Sequence, residues 1–313
     1  MDAKIIRGML LGLAVGDALG VPVEFESRKI LAEDPVTGMR EFGSWNQPAG
    51  TWSDDTSLTI AAMESISRRK KINWQDIMEN FLSWYERDEF TANGVRFDIG
   101  NTTRSAIVRY SRRLLPANKC GATEETSNGN GSLMRILPAV IYLYAKNGKI
   151  GGDELKIIHE FSALTHGHII SQISCGIYSL IAAQILNGKN ISEAFSIGMN
   201  DAKKFYGDND AFDKFSRLCD ENFAALPENK ISAAGYVVCT LEAALWSLLN
   251  TDDYKTLALK AVNLGKDTDT TAAVAGGLAG IIYGVEAIPA EWLNVLKRRD
   301  YLEKICEDFA AVL

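Results

Sequence analysis

Two acidic clusters that lie far apart in the chain place the strongest constraint on how it can fold. The first is the pair Asp54 and Asp55, and the second is formed by Asp267 and Asp269. Each cluster has Ser or Thr beside its carboxylates and stands at the start of a long apolar stretch. If the fold brings the clusters together, their charges repel and raise one another's pKa. A hard divalent cation with oxygen ligands is the usual compensation, so the pattern predicts a Mg²⁺ or Mn²⁺ site, which could be binuclear.

Helix capping is the alternative interpretation of the two clusters, because Asp and Thr favour the first turn of a helix and the dipole stabilises negative charge there. A single cluster would be interpreted as a cap, whereas two clusters of the same character favour a metal site. No candidate ligand carries sulfur or imidazole, which disfavours soft metals. The candidate ligands are Ser53, Asp54, Asp55, Asp267, Asp269 and Thr270.

The composition is that of a soluble globular protein. The 313 residues are 47% hydrophobic and 23% charged, enough for a sizeable core in one domain or two. The net charge of −7, without a basic stripe, disfavours binding to nucleic acid. The five cysteines are an odd number without CxxC spacing, which indicates a reduced, cytoplasmic protein, and no histidine has zinc-site spacing to a cysteine.

No segment is predicted to cross a membrane. Residues 5–19 are apolar like a signal peptide, but they contain Asp17 and lack a strongly basic start, so we interpret them as mature structure. The longest apolar run, residues 272–285, is shorter than the span of about 20 residues that a bilayer requires. We therefore expect no membrane partner, and a monomer is the default expectation.

Helical periodicity dominates the chain, because apolar residues recur at i, i+3 and i+4 and alternating stretches are nearly absent. This predicts an all-α fold of about a dozen helices in a single domain over residues 1–313. Residues 272–280 are small on nearly all sides, which predicts a central helix whose neighbours approach closely. Besides the C-terminal tail, the predicted helices cover residues 5–19, 55–69, 74–85, 103–114, 133–146, 154–164, 169–186, 192–205, 212–223, 233–248, 254–263 and 270–283.

Two glycine-containing loops are candidate phosphate sites. Gly129, Asn130, Gly131 and Ser132 lead into a helix predicted to begin near Leu133, and backbone N–H groups at such a helix start bind anions well. A plain turn with a helix cap is the alternative. The segment Gly100, Asn101 and Thr102 before the next helix has the same character and the same alternative.

Several isolated ionisable residues remain open to more than one interpretation. His166 and His168 at a helix end fit either a C-terminal cap or a ligand contact. Asp17, between glycines in an apolar helix, fits a buried structural carboxylate better than a catalyst. Glu24 and Glu26 follow closely, and composition cannot choose which of them reaches the metal site.

Six motifs, in order along the chain, resemble the ADP-ribosylglycohydrolase family. The segment Phe97-Asp98-Ile99-Gly100 most resembles the bacterial branch that includes the dinitrogenase reductase-activating glycohydrolase. The six motifs are Gly16–Gly20 with Glu24, Trp52–Thr56, Phe97–Thr103, Gly129–Arg135, Thr165–His168 and Asp267–Thr270.

The resemblance implies an all-α fold that holds two Mg²⁺ or Mn²⁺ ions on the six ligands given above. It assigns Glu24 to a position near the metals, in preference to Glu26, and Asp98 to a position beside the scissile ribose, with both as catalytic candidates. Ser53 stands where many members have Thr, and either hydroxyl can be a ligand. Residues 203–230 match no family motif and are candidates for a substrate-specific surface. The implied ADP-ribose pocket consists of Gly100, Asn101, Thr102, Gly129, Asn130, Gly131, Ser132 and His166.

The expected activity is metal-dependent hydrolysis of the bond between C1 of the distal ribose of ADP-ribose and a nitrogen or oxygen of the attached group. ADP-ribosyl-arginine on a protein is the expected substrate, and a small ADP-ribose conjugate is also open. Two alternatives share the acidic clusters or the fold. One is an ADP-ribose-binding or structural protein without activity, and the other is a metal-dependent phosphohydrolase of nucleotide diphosphates.

Overall fold

Helices make up the regular secondary structure of this chain, whose computed structural model describes residues 1–313. No β-sheet forms, and only isolated bridges link extended residues, so the all-α prediction is confirmed. The helices are α1 (Ala3–Gly20), α2 (Arg28–Glu33), α3 (Asp54–Arg69), α4 (Trp74–Arg87), α5 (Asn101–Ser111), α6 (Leu137–Asn147), α7 (Gly152–Ser162), α8 (Ile169–Leu186), α9 (Ile191–Tyr206), α10 (Val237–Leu249), α11 (Tyr254–Val262), α12 (Thr268–Tyr283), α13 (Ala290–Val295) and α14 (Arg299–Ala310).

Side-chain caps explain where many of these helices begin. The capping residue accepts a hydrogen bond from a backbone N–H of the first turn, which would otherwise lack a partner. Ser53 caps α3, Asn73 caps α4, Asn190 caps α9 and Asp253 caps α11 in this way. The short polar residues ahead of the apolar runs therefore mark helix starts, as the sequence indicated.

Two predicted helix starts are wrong, and one tertiary bridge accounts for both. Helix α6 begins at Leu137 rather than near Leu133, and α10 begins at Val237 rather than at residue 233. The N–H groups of Leu133 and Met134 bond to the carbonyl of Asn130, which forms a turn. The N–H of Asn130 bonds in turn to the carbonyl of Gly235, so each segment holds the other in a non-helical conformation.

The predicted helix over residues 212–223 is also wrong in type. That region forms 3-10 helices over Asp210–Cys219 and Phe223–Ala225. The apolar residues still point inward, because Phe212, Phe215, Leu218 and Phe223 are buried. The sequence pattern therefore identified the buried face correctly, although the backbone is wound more tightly than in an α-helix.

Helices α1 and α12 pack antiparallel through a seam of small residues that allows their backbones to touch. A Cβ atom added to Gly8 would overlap the carbonyl oxygen of Gly280, and one added to Gly12 would overlap that of Gly276. The same holds for Gly16 against Ala272. The small residues of the 272–280 segment thus serve the close approach that the sequence predicted, with α1 as the partner.

Helices α1 and α8 are the two that are long and apolar enough to cross a bilayer by length and composition alone. In the fold, 89% of the apolar window at α1 and 78% of that at α8 is buried among other helices. Core helices of a helical bundle have this character. Both helices are longer than the uninterrupted apolar run of residues 272–285, because they also contain polar or charged residues.

The seam predicts that adding one methyl group at Gly12 destabilises the protein. Alanine favours a helix interior by about 1 kcal/mol over glycine, but in Gly12→Ala the new methyl meets the backbone of α12, and overpacking costs about 1–3 kcal/mol. Gly152→Ala in α7 is the matched control, because its Cβ would have only an ordinary contact with Phe205. Urea unfolding should show a lower midpoint for Gly12→Ala alone. Equal midpoints for the two variants would contradict the seam.

Candidate active site

The two acidic clusters meet where the C-terminal end of α1 lies against the first turns of α3 and α12. Asp54 and Asp55 open α3, and Asp267 and Asp269 flank the start of α12. The hydroxyl of Thr270 lies 3.3 Å from the Asp55 Oδ2 atom, which joins the clusters directly. The meeting of the clusters, on which the predicted metal site depends, therefore takes place at one end of the glycine seam.

The carboxylates form two overlapping groups that could each hold a cation. Oxygens of Asp17, Asp55 and Asp269 lie within 4.8 Å of one another, and so do oxygens of Glu24, Asp98 and Asp269. Asp269 belongs to both groups. The geometry therefore brings together one predicted ligand from each cluster, Asp55 and Asp269, whereas Asp54 and Asp267 belong to neither group.

Three buried carboxylate oxygens in this cluster have no hydrogen-bond partner. They are Oδ1 of Asp55, Oδ1 of Asp267 and Oδ2 of Asp269. An ionised oxygen that is removed from water without a partner is costly, and a bound cation is one of the ways to satisfy it. These orphaned acceptors, together with an all-oxygen donor set, fit a hard divalent cation.

The electrostatics of the cluster also call for a positive charge. Burial, followed by the charges of neighbouring carboxylates, raises the pKa of Asp54, Asp55 and Asp269 well above the usual range. The same causes raise the pKa of Glu24 to about 9, with Asp98 as its largest charged neighbour. No lysine or arginine forms an ion pair with any of these groups.

Asp17 holds the start of α3 against α1. Its carboxylate accepts hydrogen bonds from the N–H of Ser53 at 2.9 Å, from the N–H of Thr56 at 3.1 Å and from the hydroxyl of Thr56 at 2.6 Å. Burial raises the pKa of Asp17 to about 6, and these donors oppose that shift. The residue is fully buried and acts as a structural carboxylate, as its sequence context suggested.

A cavity of about 320 Å³ opens beside the acidic cluster. Its lining is mostly polar, and it includes Glu24, Asp54 and Asp98 at the carboxylate cluster. A larger groove of about 650 Å³ lies along α4 and α5, but Glu79 is the only carboxylate that lines it. We therefore locate the site by its chemistry rather than by size. Its other lining residues are Phe25, Gly100, Asn101, Thr102, Thr103, Thr126, Gly129, Asn130, Gly131, Met134, His166, Gly235, Asp267 and Thr270.

The first turn of α5 faces this cavity without a cap. Its N-cap residue is Gly100, which has no side chain to accept a hydrogen bond. The N–H groups of Asn101, Thr102 and Thr103 lie in this first turn, ahead of the first intrahelical bond, which Arg104 makes. Free N–H groups and the positive end of the helix dipole favour an anion at this place.

The Gly129–Gly131 loop closes the other side of the pocket and is tied to the acidic cluster. The side-chain amide of Asn130 donates a hydrogen bond of 2.8 Å to Oδ2 of Asp267. A Cβ on Gly131 would lie 2.9 Å from both the His166 ring and the hydroxyl of Thr103, so a larger residue would displace one of these side chains. The loop does not enter a helix, so a helix dipole cannot contribute to anion binding here, contrary to the expectation.

His166 lies against this loop as a neutral ring. Its Nδ1 atom is 2.7 Å from the hydroxyl of Thr165, which accepts a hydrogen bond of 2.6 Å from the fully buried Arg135. Burial, and secondarily the charge of Arg135, lowers the pKa of His166 to about 3. Arg135 also donates to the carbonyl of Gly131, so one buried cation orients both the histidine and the glycine loop.

Several residues singled out in the sequence lie outside the cavity lining. Among the predicted metal ligands these are Ser53, Asp55 and Asp269, which are buried. The hydroxyl of Ser132 is fully buried and accepts a hydrogen bond from Ser162. His168 caps the N-terminus of α8 and bonds to Asn128, so the proposed C-terminal cap is wrong for it. Glu24 lines the cavity and Glu26 does not, and no residue of the 203–230 segment reaches it.

The sequence analysis missed five lining residues. Phe25, Thr103, Thr126, Met134 and Gly235 reach the cavity, although nothing in the local pattern separates them from ordinary loop, helix or core residues. Met134 stands inside one of the six motifs, so its neighbourhood was correct. Phe25 follows Glu24 directly, and this adjacency is the one signal that could have identified it.

The chain is similar to proteins of one family along its whole length. A family model described as ADP-ribosylglycohydrolase matches residues 2–313. An ADP-ribosylarginine hydrolase of Serratia proteamaculans is 33% identical over 305 residues, which cover 96% of this chain and 77% of that protein. The ADP-ribosyl-dinitrogen reductase glycohydrolase of Rhodospirillum rubrum is 31% identical over 297 residues, which cover 92% of this chain and 89% of that protein.

The structural comparison agrees with the sequence comparisons. A solved chain described as an ADP-ribosylglycohydrolase-related protein complex matches with a TM-score of 0.81 at 32% identity, covering 99% of this chain and 98% of that chain. The all-α architecture, the oxygen-rich acidic cluster and the whole-length match therefore lead to one conclusion: this chain belongs to the ADP-ribosylglycohydrolase family.

Proposed function

We propose that this protein hydrolyses the N-glycosidic bond between ADP-ribose and an arginine side chain of a modified protein. The observation that carries the proposal is the cluster of buried carboxylates without a compensating cation, beside a cavity that the uncapped start of α5 faces. The family is one of glycosidic-bond hydrolases, and two similar proteins are named for ADP-ribosylarginine and ADP-ribosyl-dinitrogen reductase substrates.

The two sides of the cavity suit the two parts of ADP-ribose. The diphosphate is assigned to the first turn of α5 and to the Gly129–Gly131 loop, where backbone N–H groups can donate to its oxygens. His166, neutral because burial lowers its pKa to about 3, can add one hydrogen bond without a charge that depends on pH. The distal ribose then lies toward Asp98 and Glu24, beside the acidic cluster.

The acidic cluster is the proposed site for two divalent cations, Mg²⁺ or Mn²⁺. The residues that would hold them are those of the two clusters, Ser53, Asp54, Asp55, Asp267, Asp269 and Thr270. When bound, such ions supply Lewis acidity and orient the ribose hydroxyls. The hydroxyls of Ser53 and Thr270 lie 3.2 Å and 3.3 Å from Oδ2 of Asp55, so they can keep that carboxylate in place.

Asp98 and Glu24 are the proposed proton carriers. In the reaction, the oxygen of a water molecule bonds to C1 of the ribose and its proton passes to one of these carboxylates. The C1–N bond breaks, its electron pair leaves with the nitrogen, and the proton is returned to the departing guanidine. Proton transfer of this kind contributes about 10²–10⁴-fold to a rate. Trp45 donates a hydrogen bond to Glu24 and so fixes its orientation.

The activity can be tested with an arginine-ADP-ribosylated protein, incubated with Mg²⁺, with Mn²⁺ or with EDTA, followed by mass spectrometry of the products. We expect free ADP-ribose and unmodified arginine only when the metal is present. Asp55→Asn and Asp269→Asn should each lower the rate at least about 100-fold, because both remove proposed ligands. Asp153→Asn is the control, since Asp153 is exposed and pairs with Lys156.

Three results would contradict the proposed function. Release of AMP or phosphate would indicate a phosphohydrolase. Binding of ADP-ribose without any product would indicate a binding protein. Full turnover by both cluster variants would exclude the metal assignment.

The raised pKa values predict that cation binding stabilises the protein more at high pH than at low pH. In the folded, metal-free protein, Glu24 has a pKa of about 9 and Asp98 has a pKa of about 7. Both groups therefore hold protons in the folded state that they would lose in the unfolded chain. These two groups therefore contribute most to the stability of the metal-free protein below a pH of about 4 to 5. That contribution is lost as the pH rises through their raised pKa values. A cation reverses the effect, because it stabilises the ionised carboxylates.

Melting temperatures in EDTA and in Mn²⁺, measured at pH 5.5 and pH 8, test this coupling. We expect a larger metal-dependent increase at pH 8, a smaller increase in Asp269→Asn, and an unchanged one in Asp153→Asn. Asp269→Asn should also melt higher than the wild type in EDTA at pH 8, because it replaces a buried carboxyl group that repels its neighbours when it is ionised. An equal increase at both pH values would contradict the cluster as the cation site.

A further inference from the structure

The ring of Phe25 is the most exposed of the large apolar side chains, and it lines the proposed active site. Its side chain is 68% exposed, more than that of any other large hydrophobic residue. It follows Glu24 directly, so it borders the part of the cavity where the carboxylates lie and where the scissile bond is proposed to be. An exposed aromatic ring at this place is available to a ligand.

A strained backbone conformation holds the Phe25 ring in its exposed position. Phe25 has a φ of 70°, in the left-handed region that bulky residues rarely adopt, and its N–H bonds to the carbonyl of Lys266 at 2.6 Å. Lys266 itself has a φ of 67°, and its N–H bonds back to the carbonyl of Glu26 at 2.6 Å. Strain of this kind persists where the surrounding structure fixes it, and it concentrates at functional sites.

Two further aromatic rings lie in a row with that of Phe25. Trp45 lies 6.0 Å from Phe25 between ring centroids, and Phe97 lies 5.7 Å from Trp45. We call Phe25, Trp45 and Phe97 the aromatic shelf. Each member is tied to a proposed proton carrier, because Phe25 follows Glu24, Trp45 bonds to Glu24, and Phe97 precedes Asp98. Phe25 is the member of the shelf that lines the cavity, and Glu24 and Asp98 line the same cavity.

Ring faces beside carboxylates suit a planar cation. A guanidinium group stacks on aromatic faces through its charge and its flat shape, and its N–H groups can point at carboxylate oxygens in its own plane. A serine or acetyl group has neither the charge nor the flat surface. The shelf is therefore suited to a guanidinium leaving group and not to a serine or acetyl leaving group.

We propose that the aromatic shelf, with Phe25 as its exposed member, binds the guanidinium of the arginine leaving group and makes the enzyme selective for arginine-linked ADP-ribose over oxygen-linked ADP-ribose. The proposal rests on the proposed function and deepens it. It places the discrimination between leaving groups in Phe25, whereas the acidic cluster and the α5 start act on the ADP-ribose part that all such substrates share.

The variant Phe25→Ala tests the proposal, with Phe25→Trp as the variant that keeps a ring face. The control is Phe205→Ala, since Phe205 is also exposed but lies on α9, outside the cavity lining. Three quantities are measured for each protein: kcat/KM on an ADP-ribosyl-arginine peptide, the Kd for free ADP-ribose, and inhibition by N-acetyl-arginine amide compared with its neutral isostere, the corresponding citrulline amide.

We expect Phe25→Ala to lower kcat/KM on the arginine peptide roughly tenfold, as loss of a partly desolvated cation–π contact predicts. It should also abolish the preference for the arginine amide over the citrulline amide while the Kd for ADP-ribose stays the same. Phe25→Trp should keep most of the wild-type rate and preference, and Phe205→Ala should change none of the three quantities.

Two results would overturn the shelf as a guanidinium site. A weaker Kd for ADP-ribose in Phe25→Ala would show that the ring stacks on adenine instead. Unchanged rate and unchanged preference would show that the ring contacts no part of the substrate. Failure of the proposed function is recognised separately, because the wild type itself would then release no ADP-ribose from the arginine peptide.

Discussion

The backbone contact between α1 and α12 is the interaction on which the rest of this structure depends. Because glycines let the two helices touch, the end of α1 lies directly against the first turn of α12, where a Cβ on Gly20 would overlap the backbone of Asp269. That approach places Asp17 and Glu24, which belong to the N-terminal part of the chain, beside Asp269, which is more than 240 residues away in the sequence. The acidic site is thus a product of helix packing, and no local segment could form it alone.

The fold accommodates so much negative charge because several helices point their positive ends at it. Helices α3 and α12 both begin within the acidic cluster, and α5 begins at the adjoining cavity. Each N-terminus contributes about half a positive charge, which offsets part of the repulsion but cannot neutralise a group of seven carboxylates. The negative charge that the helix dipoles do not offset is buried, and this burial keeps the carboxylate pKa values high. The oxygens of Asp55 and Asp269 that lack a hydrogen-bond partner mark where compensation is still missing.

Much of the fold and part of the site could be predicted from the sequence, for reasons that particular residues make plain. Helical periodicity and capping residues such as Asn73 are local signals, so the all-α class and most helix ranges follow from them. The start of α6 could not be predicted, because the N–H of Asn130 is bonded to Gly235, more than a hundred residues away. Phe25 leaves no periodic pattern because its ring is exposed, so only its adjacency to Glu24 could have pointed to it. The regular spacing of Gly8, Gly12 and Gly16 can be seen in the sequence. It does not show which helix packs against these glycines, and the structure identifies that helix as α12.

The seam also has a consequence for how the chain folds during synthesis. Helix α1 is made first and is apolar on nearly all sides, yet its closest partner, α12, is made near the end. Until α12 leaves the ribosome, α1 has no surface that can bury its backbone so tightly, and contacts between distant segments form slowly. Nascent chains of this protein therefore carry an apolar helix without its closest partner for most of their synthesis, and the α1–α12 contact forms late.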